Sequence, residues 1–229
     1  MGSRKGFGST VMPPHNLTMT ATGAGMLWVG WFGFNAGSAL AADNSAAMAM
    51  LVTHFSAACG SLAWMTMEWI RQGKPLVLGI VTGIVAGLGT ITPGSDSVGP
   101  ATAVVINLTA GIVCYFATIT LKNTLKIDDS LDVFPAHGVG GALGTVLIDV
   151  FAAPSLCIFN GNGFSDGVSS MGGELYIQIF GVLVTFLCAL VGSWILLKLI
   201  DQLVGLRVDD QAETEGPDLA LHDERGYAL

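Results

Sequence analysis

Charged side chains are scarce in this sequence. Of 229 residues, nine are Lys or Arg and 17 are Asp or Glu, so 11% are charged, against roughly 25% in an ordinary soluble domain. A soluble globule of this length needs more charge on its surface, which argues against a soluble protein. The net charge of −8 and the lack of a basic patch exclude nucleic-acid binding. Disorder is excluded because 52% of the residues are hydrophobic.

Motifs for enzymatic or metal chemistry are also missing. The cysteines are dispersed without a C-x-x-C pair, and therefore predict neither a metal site nor a disulfide framework; they are Cys59, Cys114, Cys157 and Cys188. No phosphate-binding GxxxxGK[ST] loop is present, so ATP-driven transport would need another subunit. The apolar segments contain no nucleophile–base pair. We therefore expect no enzyme, no cofactor and no metal.

The chain is instead rich in long apolar runs bounded by charge, Pro or polar clusters. Their length favours membrane helices over the short alternating strands of a β-barrel. The predicted fold is an all-α polytopic bundle of six transmembrane helices, with a cytoplasmic segment over 1–18, a transmembrane domain over 19–205 and an acidic cytoplasmic tail over 206–229. The six predicted spans are 19–42, 45–70, 76–93, 98–121, 133–153 and 173–205.

The basic residues predict the orientation. All nine Lys and Arg fall in the segments before span one, after spans two and four, and at or beyond the end of span six. The opposite connections contain none. Because cytoplasmic loops of membrane proteins carry the excess of Lys and Arg, both termini are predicted to be cytoplasmic.

Small residues recur at four-residue spacing inside several spans. Gly79, Gly83 and Gly87 do so in span three, and two further pairs follow the same spacing: Gly33 with Gly37, and Gly140 with Gly144. Such ridges let helix backbones approach closely where no hydrophobic effect drives helices together. We expect these glycines to build a tight bundle and not to bind a substrate.

Two histidines lie within apolar spans. His137 follows Pro135-Ala136 in a glycine-rich segment, where a neutral imidazole offers one hydrogen-bond donor and one acceptor. An ionisable group at membrane depth usually faces a cavity or the bundle interior. His137 alone leaves a packed and a pore-lining histidine equally open. His54 has the same chemistry without the glycine setting, and we interpret it as a packed or interface histidine.

An aromatic and hydroxyl stripe lies in span one. Trp31, Phe34 and Ser38 occupy positions i, i+3 and i+7, which share one face of a helix. Such a stripe could attract a small cation through its rings and its hydroxyl. Plain packing or an interfacial aromatic belt remains the alternative.

Several stretches together resemble the ammonium transporter family (Amt/Mep/Rh). They are LWVGWFGFNAGSALAA, EWIRQGKP, GIVAGLGTITP, IDDSLDVFPAHGVGGALGT, LVGLRV and EGPDLALHDERGY. The resemblance implies a fold of eleven helices in which two groups of five are related by inverted pseudo-symmetry, as in other transporters. This chain is similar to the second half, namely spans six to eleven with the tail. The resemblance also implies a homotrimer in which each subunit has its own narrow pore.

The resemblance assigns roles to single residues. His137 matches the second of two pore histidines, and Trp31 matches a pore-lining tryptophan. Phe34 matches one of two phenylalanines that gate the outer entrance, and Ser38 a hydroxyl of the outer recruitment site for ammonium. Val133 fits a position in the pore wall.

Other positions of the resemblance concern structure. Asp128, Asp129 and Asp132 match acids that cap the helix of His137. Asn107 stands where the family usually has a glycine, and Asp149 replaces a small or neutral residue.

The implied function is transport. Ammonium would bind outside, lose its proton and cross a hydrophobic lumen as ammonia, because the ion is too strongly hydrated to enter an apolar pore. The alternative is a non-transporting fragment or assembly partner of a full-length ammonium transporter. The implied substrate is ammonium or ammonia, and the implied location is the lipid bilayer of a plasma membrane or bacterial inner membrane. The implied protein partners are other copies in a homotrimer or the missing N-terminal half, and a regulatory protein at the tail.

Overall fold

Helices account for all regular secondary structure in the described part of the chain. A computed structural model describes residues 2–151 and 167–226. Six long helices come first in chain order, and two short ones follow in the tail. They are α1 (Leu17–Gly37), α2 (Asn44–Gln72), α3 (Val77–Ile91), α4 (Pro100–Ile119), α5 (Gly140–Phe151), α6 (Met171–Leu203), α7 (Asp210–Glu215) and α8 (Pro217–His222). A 3₁₀ turn over Thr92–Gly94 follows α3, and π-helical turns over Thr120–Thr124 and Phe134–Val139 follow α4 and precede α5.

The ends of the helices follow from capping residues. The Asn16 side chain accepts a hydrogen bond from the Met19 amide at the start of α1, and Asp43 accepts two at the start of α2. Each such cap satisfies amides that the first helical turn leaves without a partner. At the other end of α2, Gly73 adopts φ 79°, a left-handed conformation that glycine tolerates better than other residues.

The predicted end of span one at residue 42 is wrong, because α1 ends at Gly37. The amides of Ala39 and Leu40 bond to carbonyls three residues back, and Leu40 adopts φ 58°. The chain therefore turns after Gly37 and reaches Asp43, the cap of α2. The apolar composition of 39–42 concealed this turn from a hydropathy-based prediction.

The other predicted spans agree with helices to within a few residues. The spans 45–70, 76–93, 98–121 and 173–205 correspond to α2, α3 with its 3₁₀ turn, α4 and α6. The span 133–153 corresponds to the π-helical turn Phe134–Val139 with α5, which ends at Phe151. Residues 152 and 153 lie outside the described residues.

The predicted multi-pass membrane protein is confirmed, although the described residues contain five helices, and not six, that meet the criteria of length and apolar composition. Those five are long and apolar enough to cross a membrane: α2, α3 with its 3₁₀ turn, α4 with its π-turn, α5 with its π-turn, and α6. α1 has 21 residues, which span roughly 31 Å at 1.5 Å per residue. Its threonines and glycines lower its hydropathy, and it is not among the five. A sixth crossing by α1 stays a prediction.

The described residues of Pro13–Val182 form one compact unit. Within it α2 packs against α1, α3 and α4. Glycines allow the closest of these crossings: a methyl group at Gly60 would lie 2.5 Å from the Gly83 carbonyl oxygen, and one at Gly111 would lie 2.6 Å from that of Gly60. Gly33 and Gly37 take no part in such packing within the described structure, where nothing lies within 4 Å of a methyl group at either position.

Two apolar clusters form the interior of this unit. The first lies among α2, α3, α4 and α5 and consists of Val52, Ile91, Val98, Ala103, Ile106 and Ile148. The second joins α2, α3 and α4 to the π-helical turn before α5, and consists of Trp64, Ala86, Cys114, Tyr115 and Ala136. The π-helical turn is thereby fixed to the bundle next to His137.

The second compact unit brings together the described residues of Met1–Met12 and of Leu183–Leu229. Arg207 bonds to both carboxylate oxygens of Glu213, at 2.7 and 2.8 Å, and to the Ser3 carbonyl at 3.0 Å. The Lys5 ammonium lies 3.7 Å from Asp210, and the Lys5 amide donates to Glu213. Ionic contacts therefore hold the N-terminal segment to the start of the tail.

Candidate functional site

Trp31 lies at the centre of a cluster of three rings from two parts of the chain. Its ring centroid is 6.2 Å from that of Phe34, with the planes at 76°, and 6.3 Å from that of His137, with the planes at 18°. The first geometry is edge-to-face and the second is stacked. The structure thus brings together three of the predicted conduction residues: two from α1 and one from the π-helical turn before α5.

Ser38 and Val133, the other two predicted conduction residues, each lie close in sequence to a member of this cluster. Ser38 follows the last residue of α1, and its hydroxyl donates to the Phe34 carbonyl at 2.7 Å. Its oxygen lone pairs stay available to a donor. Val133 precedes the π-helical turn of His137 and is 51% exposed.

The face that carries these residues is open in this chain. Phe34 is 62% exposed, and His137 and Ser38 are also exposed. Imidazole and hydroxyl groups are seldom left facing lipid in membrane helices. The face therefore differs in chemistry from an ordinary lipid-facing helix surface.

Asp129 holds the start of the helix that carries His137. Its two carboxylate oxygens accept hydrogen bonds from the amides of Val133 and Phe134, at 3.0 and 2.8 Å. These amides belong to the first turn and have no partner within the helix. Asp128 lies in the same loop.

Asp132 makes a different contact. Its carboxylate pairs with the Lys122 ammonium at 2.6 Å, and its backbone is left-handed at φ 54°. Burial raises the pKa of Asp132, while the hydrogen bond and the charge of Lys122 oppose that rise. The ion pair joins the segment after α4 to the segment before α5.

Thr92 is a residue of this site that the sequence did not reveal. Its hydroxyl oxygen accepts a hydrogen bond from the Trp31 indole N–H at 2.8 Å. The hydroxyl also donates to the Leu88 carbonyl at 2.8 Å. Because Thr92 lies 61 residues from Trp31 in the chain, no local pattern pointed to the pair.

His54 contacts two aromatic rings of α1. Its ring centroid lies 5.2 Å from that of Trp28 and 5.9 Å from that of Phe32. The imidazole is nevertheless exposed. It belongs to a cluster separate from the rings around Trp31.

Asn107 and Asp149, the two residues that depart from the family pattern, are both buried. The Asn107 amide donates to the Ser56 hydroxyl at 2.8 Å and to the Ala103 carbonyl at 2.9 Å, which joins α4 to α2. Asp149 is 4% exposed, and Glu174 of α6 is 3% exposed. A polar side chain at Asn107 thus supplies a contact between helices that a glycine could not.

Metal-ligating groups are not gathered within residues 2–151 and 167–226. No cluster of three or more His, Cys, Asp or Glu suited to a metal ion occurs there. Cys59, Cys114 and Cys188 are free thiols, and Cys157 lies outside the described residues.

The architecture defines a multi-pass helical membrane protein in which aromatic and imidazole side chains share one open face. A sequence model of the Ammonium Transporter Family matches residues 1–227. The chain belongs to this family, which confirms the resemblance. The family is one of transporters and not of enzymes.

Individual relatives and solved structures agree with this assignment. Ammonium transporter Amt1 of Archaeoglobus fulgidus is 43% identical over 227 residues, which are 99% of this chain and 56% of that protein. The solved structure titled "Sensor Amt Protein" superposes with a TM-score of 0.85 at 30% identity, over 96% of this chain and 53% of that one. The crystal structure of Saccharomyces cerevisiae Mep2 gives a TM-score of 0.73 at 35% identity, over 83% and 46% of the two chains.

The chain spans about half the length of the curated relatives that it matches. It covers 53% of the relative from Methanothermobacter thermautotrophicus, 56% of that from Archaeoglobus fulgidus and 52% of that from Aquifex aeolicus.

Proposed function

We propose that this chain is the C-terminal half of an ammonium transporter and forms one wall of a path for ammonium and ammonia. The observation that carries the proposal is the cluster of Trp31, Phe34 and His137 on an open face. The relatives that the chain matches over nearly its whole length are named ammonium transporters. These names favour transport over the alternative of a non-transporting assembly partner.

The side chains suit the recruitment of a small cation. The faces of Trp31 and Phe34 carry negative potential that attracts ammonium. The Ser38 oxygen can accept one of its N–H bonds, since the hydroxyl proton is already donated to the Phe34 carbonyl. We place the binding of the ion at this end of α1.

His137 suits the next step, in which the ion gives up its proton. A neutral imidazole accepts a proton or hydrogen bond at one nitrogen and donates at the other. It can therefore accept from ammonium or hold ammonia as it passes the stacked Trp31 ring. The apolar wall around it, to which Val133 belongs, penalises the ion more strongly than the neutral molecule.

The remaining expectations concern the assembly. We place both termini in the cytoplasm because the Lys and Arg lie on that side, with segment 1–18 and the acidic tail 206–229 next to it. The open face requires a second wall, which we assign to an N-terminal half of the protein. A homotrimer in a plasma or bacterial inner membrane and a regulatory protein at the tail complete the proposal.

Uptake of methylammonium tests this function in cells that lack other ammonium carriers. We expect uptake when the chain is expressed with the N-terminal half of the Archaeoglobus fulgidus relative, and none from either half alone. His137→Ala should reduce uptake strongly. His54→Ala is the matched control, because His54 is an exposed histidine outside the Trp31 cluster. Equal loss from both variants, or no uptake from the pair of halves, would contradict the proposal.

A further inference from the structure

We infer that Thr92 is a positioning residue for conduction, which fixes the Trp31 indole and removes its N–H from the proposed path. The inference rests on the proposed function, because Trp31 matters for conduction only if the open face is a pore wall. Thr92 stands at the start of the 3₁₀ turn that ends α3. It therefore belongs to a helix other than those of Trp31 and His137.

The hydrogen bonds of the Thr92 hydroxyl determine what it can do. Its proton is donated to the Leu88 carbonyl at 2.8 Å, so its oxygen is turned to accept from the Trp31 indole at 2.8 Å. A threonine hydroxyl has one proton and two lone pairs. With the proton committed to the backbone, Thr92 can act toward the indole only as an acceptor.

The bond fixes the orientation of the indole ring. An indole has two side-chain torsions, and a hydrogen bond at Nε1 restricts both. With Nε1 held, the ring lies stacked against His137 at 18° and edge-to-face with Phe34 at 76°. Loss of the bond would leave the ring free to rotate, and both contacts would lose their fixed geometry.

The same bond removes a donor from the proposed path. Ammonia carries one lone pair and would accept a hydrogen bond from a free indole N–H. A strong donor in an apolar lumen would hold ammonia and slow its passage, since conduction requires weak binding as well as entry. Because Thr92 accepts the hydrogen bond of the Trp31 indole N–H, that N–H cannot bind ammonia. Among the three rings of the cluster, His137 then provides the polar group that can bind and release the solute.

Four variants of the full chain test the inference by two measurements. Thr92→Val keeps the shape and removes the acceptor, whereas Thr92→Ser keeps the acceptor. Thr82→Val is the matched control, because the Thr82 hydroxyl in α3 makes the same bond to a carbonyl four residues back, at 2.9 Å to Leu78. Trp31→Phe identifies the signal of Trp31 among the five tryptophans.

The first measurement is ultraviolet resonance Raman spectroscopy of the purified chain. The indole band that reports N–H hydrogen bonding is assigned to Trp31 by difference from Trp31→Phe. We expect it to move to the position of a free or weakly bonded N–H in Thr92→Val, and to stay in Thr92→Ser and Thr82→Val. A band unchanged by Thr92→Val would overturn the contact, whatever the outcome for transport.

The second measurement is methylammonium uptake with the N-terminal half present. We expect Thr92→Val to lower uptake about five-fold, the effect of about one lost hydrogen bond, and Thr92→Ser to stay close to the unchanged chain. Equal losses in Thr92→Val and Thr92→Ser would overturn the positioning role. The unchanged chain could also show no uptake while the Raman band behaves as expected. In that case the proposed function fails, and so does the role of Thr92 in conduction, but the hydrogen bond between Trp31 and Thr92 is confirmed.

Discussion

Gly83→Ala places a methyl group where the backbones of α2 and α3 lie close together. The new carbon would lie 2.8 Å from both the Gly60 carbonyl oxygen and the Trp64 Cβ, and 2.9 Å from the Ser61 Cα. Ordinary contacts of a Cβ atom begin at 3.4 Å. None of the three atoms is the end of a flexible side chain, so the two helices must move apart.

The cost of this movement competes with a gain in helix propensity. Overpacking of a tight interior costs about 1–3 kcal/mol, while replacing a helical glycine by alanine gains about 1 kcal/mol. We expect a net destabilisation of about 1 kcal/mol. Moving α2 and α3 apart also weakens the neighbouring contact between Gly87 and α2. Gly87 lies so close to α2 that a methyl group placed there would meet Ser56.

Gly141→Ala is the matched control for this prediction. Gly141 lies in α5, and nothing in the described structure is within 4 Å of a methyl group added there. It shares the gain in propensity without the clash, so we expect it to stabilise the chain by up to about 1 kcal/mol. The two variants should therefore differ by about 2 kcal/mol, which isolates the clash.

The assay is reversible unfolding of the purified chain in detergent micelles, followed by far-ultraviolet circular dichroism. Both variants and the unchanged chain are compared at the same detergent concentration. If Gly83→Ala is as stable as Gly141→Ala, the close approach of the α2 and α3 backbones does not contribute to stability, and the reasoning is refuted.

Two further predictions concern carboxylates. Glu68 is 5% exposed and accepts from the Leu76 amide at 2.9 Å and from the buried Trp64 indole at 3.3 Å. Glu68→Ala should cost about 1–3 kcal/mol in the same unfolding assay, because the buried indole N–H and the Leu76 amide lose their acceptor. The pKa of Glu213 is lowered to about 2, mainly by its hydrogen bond from the Arg207 side chain and to a smaller extent by the hydrogen bond from the Lys5 amide. This contact should be complete above the ordinary pKa of about 4.3 and lost as the pH falls through 2, which limited pepsin digestion of the tail would detect.

Each of these predictions has its own control. Glu68→Gln keeps one acceptor oxygen and should cost less than Glu68→Ala; equal losses would mean that the two hydrogen bonds are not what stabilises this turn. Arg207→Ala removes the main cause of the lowered pKa of Glu213, so cleavage should then begin at a higher pH than in the unchanged chain. A cleavage profile that Arg207→Ala leaves unchanged would contradict the ionic contact.

Much of the fold was predictable because a membrane helix needs about 20 consecutive, mostly apolar residues, and such runs are visible in the sequence. Long apolar runs bounded by charge marked α2 through α6 to within a few residues. The end of α1 was not predictable in this way, since 39–42 is apolar and yet lies in a turn. Hydropathy reports which residues tolerate lipid, whereas backbone hydrogen bonds decide where a helix stops.

The glycines show the same division. Four-residue spacing indicated close packing, and Gly83 and Gly87 do lie against α2. Gly33 and Gly37 have the same spacing but nothing near them in the described structure. Spacing shows which face of a helix could be approached, and only the arrangement of the other helices decides whether it is.

For the candidate site, the residue types and the family can be recognised without a structure. Trp31 and Phe34 share a helix face because 3.6 residues make a turn, and the stretch around His137 resembles one family strongly enough to be assigned. Which of these side chains meet depends instead on the packing of the helices. The stacking of Trp31 on His137 and its hydrogen bond to Thr92 depend on how whole helices cross and rotate, and the packing of all their side chains together sets those crossings.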